Sequence, residues 1–200
     1  IEEPVTRELY MFLYICDVEK RHNAEAPLPA AAERDAATCL YTQGTTEKLI
    51  DLLLRGGRVG GHVYSLAVIR MIGLPALSAR MGAENVDLEK MYLCRFMSIR
   101  LDGYCLVGRY GGDGILVFCP DAQSDEWMRD RIGEAVASAG RIRNAAAPEE
   151  YIKLVCGIAT ESAGSADMAG MLAQAVRVCE AYQNSAEDKF VSFEQYVSSS

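Results

Sequence analysis

A turn of two glycines and an aspartate, Gly111-Gly112-Asp113, holds the residue types most suited to chemistry in this sequence. It lies between two apolar runs, within the stretch GRYGGDGILVFC (108–119). A carboxylate is a ligand type that Mg²⁺ accepts, and glycine lets a backbone approach a phosphate closely. The same residues also suit a plain β-hairpin, because glycine tolerates positive φ and Asp-Gly pairs favour primed turns. The local sequence therefore leaves a hairpin turn and a phosphate- and metal-handling loop both open.

The composition indicates a globular domain that does not bind nucleic acid. Half of the 200 residues are hydrophobic, and the formal net charge is -8. That charge has the wrong sign for phosphate backbones or an anionic membrane surface. The apolar stretches are shorter than the ~20 residues that span a bilayer, and we find no signal peptide. We expect a cytoplasmic location, either alone or as the cytosolic part of a larger membrane-anchored protein, since the chain begins at Ile1.

The seven cysteines are spread singly along the chain, without a C-x-x-C pair. Most of them lie inside apolar runs, which is typical of reduced core thiols in the cytosol. With only two histidines in the chain, the sequence does not predict a zinc site.

Two parts follow one another along the chain. The segment Pro4 to Lys20 has apolar residues at helical spacing, and Pro27 and Pro29 then force an extended connection. We therefore assign an N-terminal helix and linker to residues 1–30 and a folded domain to residues 31–197.

The pattern of elements in the domain predicts an α/β (α+β) fold of the ferredoxin-like, nucleotidyl-cyclase palm type. We expect a central, mostly antiparallel sheet flanked by helices. In this fold the first strand lies beside the hairpin, where such palms hold two metal ions between carboxylates. The predicted elements are a helix from Thr45 ended by Gly56-Gly57, a strand over 62–72, two helices between Pro75 and Arg100 broken near Gly82, the hairpin around the glycine turn, a helix capped by Ser124 and ended by Gly140, a strand over 151–160, a helix from about 165 to 183, and a strand over 189–193.

Three stretches resemble the GGDEF domains of bacterial diguanylate cyclases, which condense two GTP into cyclic di-GMP. RYGGDGILVFCP (109–120) is similar to the R-Y-G-G-D/E-E-F signature and the apolar strand after it. DAATCLYTQGTTEKLIDLL (35–53) is similar to an upstream motif, D-x-L-T-G-L-x-N-R-R. IRMIGLPALSARMGAENVD (69–87) aligns without a gap on D-x-D-x-F-K-x-I-N-D and a later G-D pair. The resemblance runs from Asp35 to Phe193, and the upstream motif keeps Asp35, Thr38, Leu40 and Tyr41.

The metal-binding positions that the resemblance implies are mostly replaced. The first-strand Asp corresponds to Arg70, and the second acid of that strand corresponds to Ile72. The Glu and Phe of the signature correspond to Gly114 and Ile115, so Asp113 is the only acid kept. We expect Arg70 either to pair with Asp113 in place of a metal or to point into solvent.

The nucleotide-binding positions are kept in part. By resemblance, guanine would meet Ser78, at a position where the family has Asn, and Asp87, which is retained. Gly111 and Gly112 would line the phosphates. Asp87 also has a plain interpretation, since an acid near a helix start is favoured by the helix dipole.

The phosphate-binding cations of the family are absent. Its Lys and Arg near the C-terminus correspond to Gln183 and Glu187. The R-x-x-D motif of the family's inhibitory product site would fall on Asp102 to Cys105 and is absent too.

We expect a catalytically impaired GGDEF-type signalling domain that acts as a regulatory, dimerisation or ligand-sensing module. The alternative is an active diguanylate cyclase, with Asp113 and backbone carbonyls holding Mg²⁺. A third hypothesis is a GTP sensor that uses Ser78 and Asp87. The expected partners are GTP or another guanine nucleotide, a second copy bound through the Pro4 to Lys20 helix, and an upstream sensor domain or partner protein.

Overall fold

The computed structural model describes residues 33–55, 63–101, 103–143, 151–162 and 165–199. The predicted helix from Pro4 to Lys20 and the linker after it lie outside these residues. In chain order the elements are α1 (Gln43–Arg55), β1 (Val63–Ile72), α2 (Leu74–Met81), α3 (Ala83–Leu101), β2 (Leu106–Tyr110), β3 (Gly114–Ala122), α4 (Asp125–Arg143), β4 (Lys153–Ser162), α5 (Met168–Ala181), β5 (Lys189–Ser192) and α6 (Phe193–Ser199).

The five strands form one sheet in the order β2-β3-β1-β4-β5. Every neighbouring pair is antiparallel except β4 and β5, which are parallel. The prediction of a mostly antiparallel sheet flanked by helices, with the first strand beside the hairpin, is therefore confirmed.

Alternate residues of β1 are buried on opposite faces of the sheet, as the two-residue period of a strand requires. Ile69 packs in a cluster with residues of α2, α3 and α4, which we call the three-helix face. Val68 packs in a second cluster with residues of α1 and α5, the two-helix face. Both faces of β1 are covered, which explains its nearly continuous apolar sequence.

Several helix ends differ from the prediction for local reasons. Helix α1 begins at Gln43 rather than Thr45, and the Thr42 hydroxyl accepts the Thr45 N–H at 3.4 Å. Helix α4 continues through Gly140 to Arg143, because glycine weakens a helix by only ~1 kcal/mol and need not end it. Helix α5 begins at Met168 rather than near 165, with Asp167 as its N-cap.

Helix α6 was not predicted at all. Ser192 and Gln195 form a reciprocal cap: the Gln195 N–H donates to Ser192 Oγ at 3.3 Å, and the Ser192 N–H donates to Gln195 Oε1 at 3.4 Å. This is the S-x-x-Q capping box, a helix-start pattern that is readable in the sequence. Among the residues described, no helix is long and apolar enough to cross a membrane.

Candidate functional site

The register of the sheet brings the end of the first strand against the glycine turn. Arg70 in β1 pairs with Gly114 in β3. The Met71 N–H, one residue later, donates to the Asp113 carbonyl at 3.0 Å. The two places from which a palm-type site draws its acids are therefore direct neighbours in this chain.

The turn itself is tight. Tyr110 pairs with Gly114, so only residues 111–113 connect the two strands. Gly111 has a φ of 58°, in the left-handed region that favours glycine. A Cβ added at Gly114 would lie 2.4 Å from the Tyr110 carbonyl oxygen. The turn therefore requires glycine at position 114, where the resemblance implies a glutamate.

Two side chains hold the turn from either side. The Arg109 guanidinium donates to the Gly112 carbonyl, and the Gly111 N–H donates to Gln43 Oε1 at 2.9 Å. Gln43 is the first residue of α1, so this hydrogen bond fixes the turn to the helix start. A phosphate approaching the Gly111 N–H would have to displace the Gln43 amide.

Lys90, on α3, joins the two retained acids. Its Nζ lies 2.6 Å from Asp113 Oδ1 and 3.5 Å from Asp87 Oδ1. The lysine side chain is 22% exposed, whereas the Asp113 and Asp87 side chains are 49% and 73% exposed. The hydrogen bond to Asp113 raises the pKa of Lys90 above its ordinary value, so the ammonium stays charged. The carboxylate predicted to bind a metal therefore already has a cation beside it.

Sequence reasoning missed Lys90. One signal was available, because Lys90 follows Asp87 by three residues, and helix residues at that spacing are neighbours. Its contact with Asp113 crosses from a helix to a hairpin and has no local signal in the sequence.

Arg70 does not take the role of pairing with Asp113 in the structure. Arg70 lies two residues after Val68 in β1, so the two side chains are on the same side of the sheet, the two-helix face. Its positive charge acts to lower the pKa of the Cys179 thiol in α5, although burial raises that pKa overall. Lys90 instead comes from α3, on the three-helix face. Among the described residues, the ion-pair partner of Asp113 is thus Lys90, and the expected Arg70–Asp113 pair is wrong. The other expectation, that Arg70 points into solvent, is met only in part, since its side chain is half-buried.

The remaining predicted residues lie on separate elements. Ser78 is half-buried in α2, and its carbonyl accepts the Gly82 N–H at 2.9 Å. Gln183 and Glu187 follow α5, and both are exposed. Glu187 Oε2 lies 3.9 Å from Lys189 Nζ. Neither 183 nor 187 thus supplies a positive charge. Asp102 lies outside the described residues.

The residues of this site do not fit a divalent metal ion. Within the described part of the chain, no group of three or more His, Cys, Asp or Glu side chains is placed to hold one. Among the described residues, Asp113 is the acid placed at the junction of β1 and the turn, and its carboxylate is bound by the Lys90 ammonium. Mg²⁺ prefers several hard oxygen ligands in octahedral geometry, which this donor set does not offer.

A second turn, residues 35–41, lies against the hairpin from outside the sheet. The Asp35 carboxylate accepts both the Thr38 N–H at 2.8 Å and the Thr38 hydroxyl at 2.6 Å. These hydrogen bonds lower the pKa of Asp35. Tyr41 then forms a parallel bridge to Gly108, and its carbonyl accepts the Arg109 N–H at 2.8 Å. The turn at Asp35 therefore supports the strand that carries the glycine turn.

The fold matches solved structures, although the sequence does not match characterised families. No protein-family profile and no curated protein matches the chain. The GGDEF domain of DgcB from Caulobacter crescentus, in complex with c-di-GMP, is 16% identical with a TM-score of 0.69, over 84% of this chain and 99% of that one. The FimX GGDEF domain from Pseudomonas aeruginosa is 17% identical with a TM-score of 0.66, and the match covers 78% of this chain and 97% of that one. The diguanylate cyclase SiaD from Pseudomonas aeruginosa, in complex with its activator SiaC, is 21% identical with a TM-score of 0.66. The match covers 94% of this chain and 72% of that one.

Proposed function

We propose that this chain, which has the fold of GGDEF domains, is a non-catalytic signalling module that binds a regulatory ligand or a protein partner. The observation that carries the proposal is the ion pair between Lys90 and Asp113, at 2.6 Å. In the resemblance, Asp113 is the one surviving metal-binding acid. Here its carboxylate serves as an internal partner of α3 instead of remaining free for an incoming cation.

The loss of catalysis follows from several changed positions at once. Arg70 and Gly114 replace acids, and Gln183 and Glu187 replace cations that would meet the triphosphate. Removing one such electrostatic contact commonly lowers a rate by about 10²-fold or more. Such losses are not additive, but a site without its metal ligands and its phosphate-binding cations lacks the main means of stabilising transferred charge.

Gly114 makes the loss hard to reverse. A side chain at this position would meet the Tyr110 carbonyl, so a glutamate cannot be restored without opening the turn. The alternative hypothesis, an active cyclase with an atypical site, needs Asp113 to leave Lys90 and bind Mg²⁺ with backbone carbonyls alone. We favour the non-catalytic reading because it leaves the observed hydrogen bonds in place.

A guanine nucleotide remains the candidate ligand. Asp87 is 73% exposed and could accept hydrogen bonds from a guanine edge, with Ser78 half-buried on the preceding helix. Gly111 and Gly112 are exposed at the turn nearby. The complexes of DgcB with c-di-GMP and of SiaD with its activator SiaC are precedents, on the same fold, for a nucleotide and a protein partner.

The first test is an activity assay on the full chain with GTP and either Mg²⁺ or Mn²⁺, followed by chromatography for cyclic di-GMP. We expect no product. Clear turnover that disappears in Asp113→Ala would overturn the proposal and establish the alternative cyclase. Turnover unchanged in Asp113→Ala would point to a contaminating enzyme.

The second test is calorimetric titration with GTP, GDP and cyclic di-GMP, without metal and then with Mg²⁺. Binding of a guanine nucleotide that needs no metal and weakens in Asp87→Asn supports a ligand-sensing role through this site. Glu180→Gln, which removes an exposed carboxylate on α5, is the matched control. No binding up to high micromolar concentration would remove the nucleotide-sensor hypothesis and leave protein partners. Self-association through the Pro4 to Lys20 helix, which lies outside the described residues, stays a prediction that light scattering can test.

A further inference from the structure

Two cysteines face each other across the hairpin. Leu106 in β2 pairs with Phe118 in β3, so the next step of the same antiparallel register sets Cys105 opposite Cys119. Both side chains pack in the cluster of the three-helix face, and they therefore lie on the same side of the sheet. Opposite residues of an antiparallel pair have Cα atoms about 4.5–5.5 Å apart. That spacing falls inside the range of about 4.4–6.8 Å over which disulfides form.

The pair also has suitable reactivity and access. Cys105 is partly exposed, whereas Cys119 is 2% exposed beneath it. A hydrogen bond between the thiols lowers the pKa of Cys119 and raises that of Cys105. The thiolate is the reactive form of cysteine, and a second thiol beside it can resolve the oxidised product.

We propose that Cys105 and Cys119 form a reversible disulfide when the protein meets a small hydroperoxide. In the first step one of the two sulfurs takes the terminal oxygen of the hydroperoxide, which breaks the O–O bond and gives a sulfenic acid with an alcohol, or with water where the oxidant is hydrogen peroxide. The second sulfur then attacks the sulfenic sulfur. Hydroxide leaves and takes the proton of the second thiol to form water. Two thiols lose two electrons, and one hydroperoxide O–O bond is reduced.

The disulfide would close a ring over residues 105–119, and this ring contains the glycine turn. Oxidation would thus tie the start of the edge strand β2 to β3 at the end of the hairpin opposite the glycine turn. A reducing thiol opens the ring again by disulfide exchange. The pair therefore connects the redox state of the surroundings to the hairpin of the candidate site.

Among the described residues, the other buried cysteines do not form such a pair. Cys156 packs on the three-helix face, but Cys179 packs on the two-helix face, so the sheet lies between them. Burial raises the pKa of both thiols, that of Cys179 to about 11. Burial likewise raises the pKa of Cys94 to about 11. These three thiols are expected to stay reduced under the same treatment.

The experiment treats the folded full chain with hydrogen peroxide, blocks free thiols with iodoacetamide, and maps peptides by mass spectrometry without reduction. We expect a crosslinked peptide containing Cys105 and Cys119, 2 Da lighter than the sum of its reduced parts, which dithiothreitol removes. Cys39→Ser, which changes another partly exposed thiol, should leave the crosslink intact. Full alkylation of Cys105 and Cys119 after peroxide, or a crosslink of either one to another cysteine, would overturn the proposal.

A stability measurement on the unaltered protein needs no variant that might fail to fold. Closing a 15-residue ring in native geometry should raise the thermal midpoint by about 5–10 °C, reversibly with dithiothreitol. A fall of the midpoint on oxidation would mean that the bond distorts the hairpin. That result would overturn the inference that the folded hairpin is already set for it.

Discussion

The turn at Asp35 and the turn at Asp113 each keep one carboxylate of the family pattern, yet the two carboxylates have different partners. Asp35 accepts the backbone N–H and the hydroxyl of Thr38, within its own turn. Asp113 is bound by Lys90, a residue from a distant helix. The carboxylate in the scaffold turn thus has partners within its own turn, whereas the carboxylate at the candidate site is paired with a residue from another element. The contacts that hold a fold and the contacts that serve a site can therefore be different ones in the same molecule.

The largest effect should come from breaking the contact that joins the two turns. Gly108 bridges to Tyr41, and a Cβ there would lie 1.8 Å from Thr46 Oγ1. We expect Gly108→Ala to lower the free energy of unfolding by about 3 kcal/mol, since α1 would have to move off β2. Gly112→Ala is the control, because its Cβ would meet nothing within 4 Å. Denaturant unfolding measures both, and equal losses would mean that the packing at Gly108 is looser than described.

The next effect compares the two carboxylates directly. Asp35→Ala removes two hydrogen bonds and should cost about 2 kcal/mol near pH 7. The pKa of Asp35 is lowered in the folded state, so its stabilising effect is present above the ordinary value of 3.8 and is lost as pH falls through the folded-state pKa. The difference in unfolding free energy between the native protein and Asp35→Ala should therefore shrink in acid. A difference that is constant from pH 6 to pH 2 would contradict the assigned hydrogen bonds.

A smaller change in the opposite direction is expected at Cys39. This residue has a φ of 61°, a left-handed conformation that disfavours residues with a Cβ, and the family motif has glycine at this position. Cys39→Gly should raise the free energy of unfolding by up to about 1 kcal/mol. Cys39→Ala, which keeps the Cβ, should not. Thermal or denaturant unfolding distinguishes them, and a gain in both variants would locate the effect in the thiol rather than in the backbone.

The smallest effect should belong to the ion pair at the glycine turn. Asp113→Asn should cost under about 1 kcal/mol near neutral pH, since the pair is partly exposed. The pKa of Lys90 is raised in the folded state, so the stabilising effect is present below its ordinary value of 10.5 and is lost as pH rises through the folded-state pKa. The gap between Asp113→Asn and the native protein should close at high pH. A cost larger than that of Asp35→Ala would reverse the comparison between the two turns.

Much of the fold could be predicted because it rests on local or periodic patterns. The apolar run of β1, the break at Gly82 and the Ser124 cap all have short-range causes, and the structure places them as expected. The predicted end of α4 at Gly140 was wrong, because a glycine can lie inside a helix as well as follow its last residue. Helix α6 was missed although its Ser192–Gln195 capping box is legible in the sequence.

The sequence by itself predicted the order of the elements as far as β5, the glycine turn, and arginine and glycine at positions 70 and 114, where the resemblance implies acids. These features depend on residue type, on turn chemistry, and on the spacing of apolar residues, which is two in strands and three to four in helices. All of them act over short distances along the chain. Only the tertiary structure decided that Lys90 pairs with Asp113, that Arg70 lies on the other face, and that Cys105 meets Cys119. Those contacts depend on sheet register and helix packing, which bring together residues that no local pattern connects.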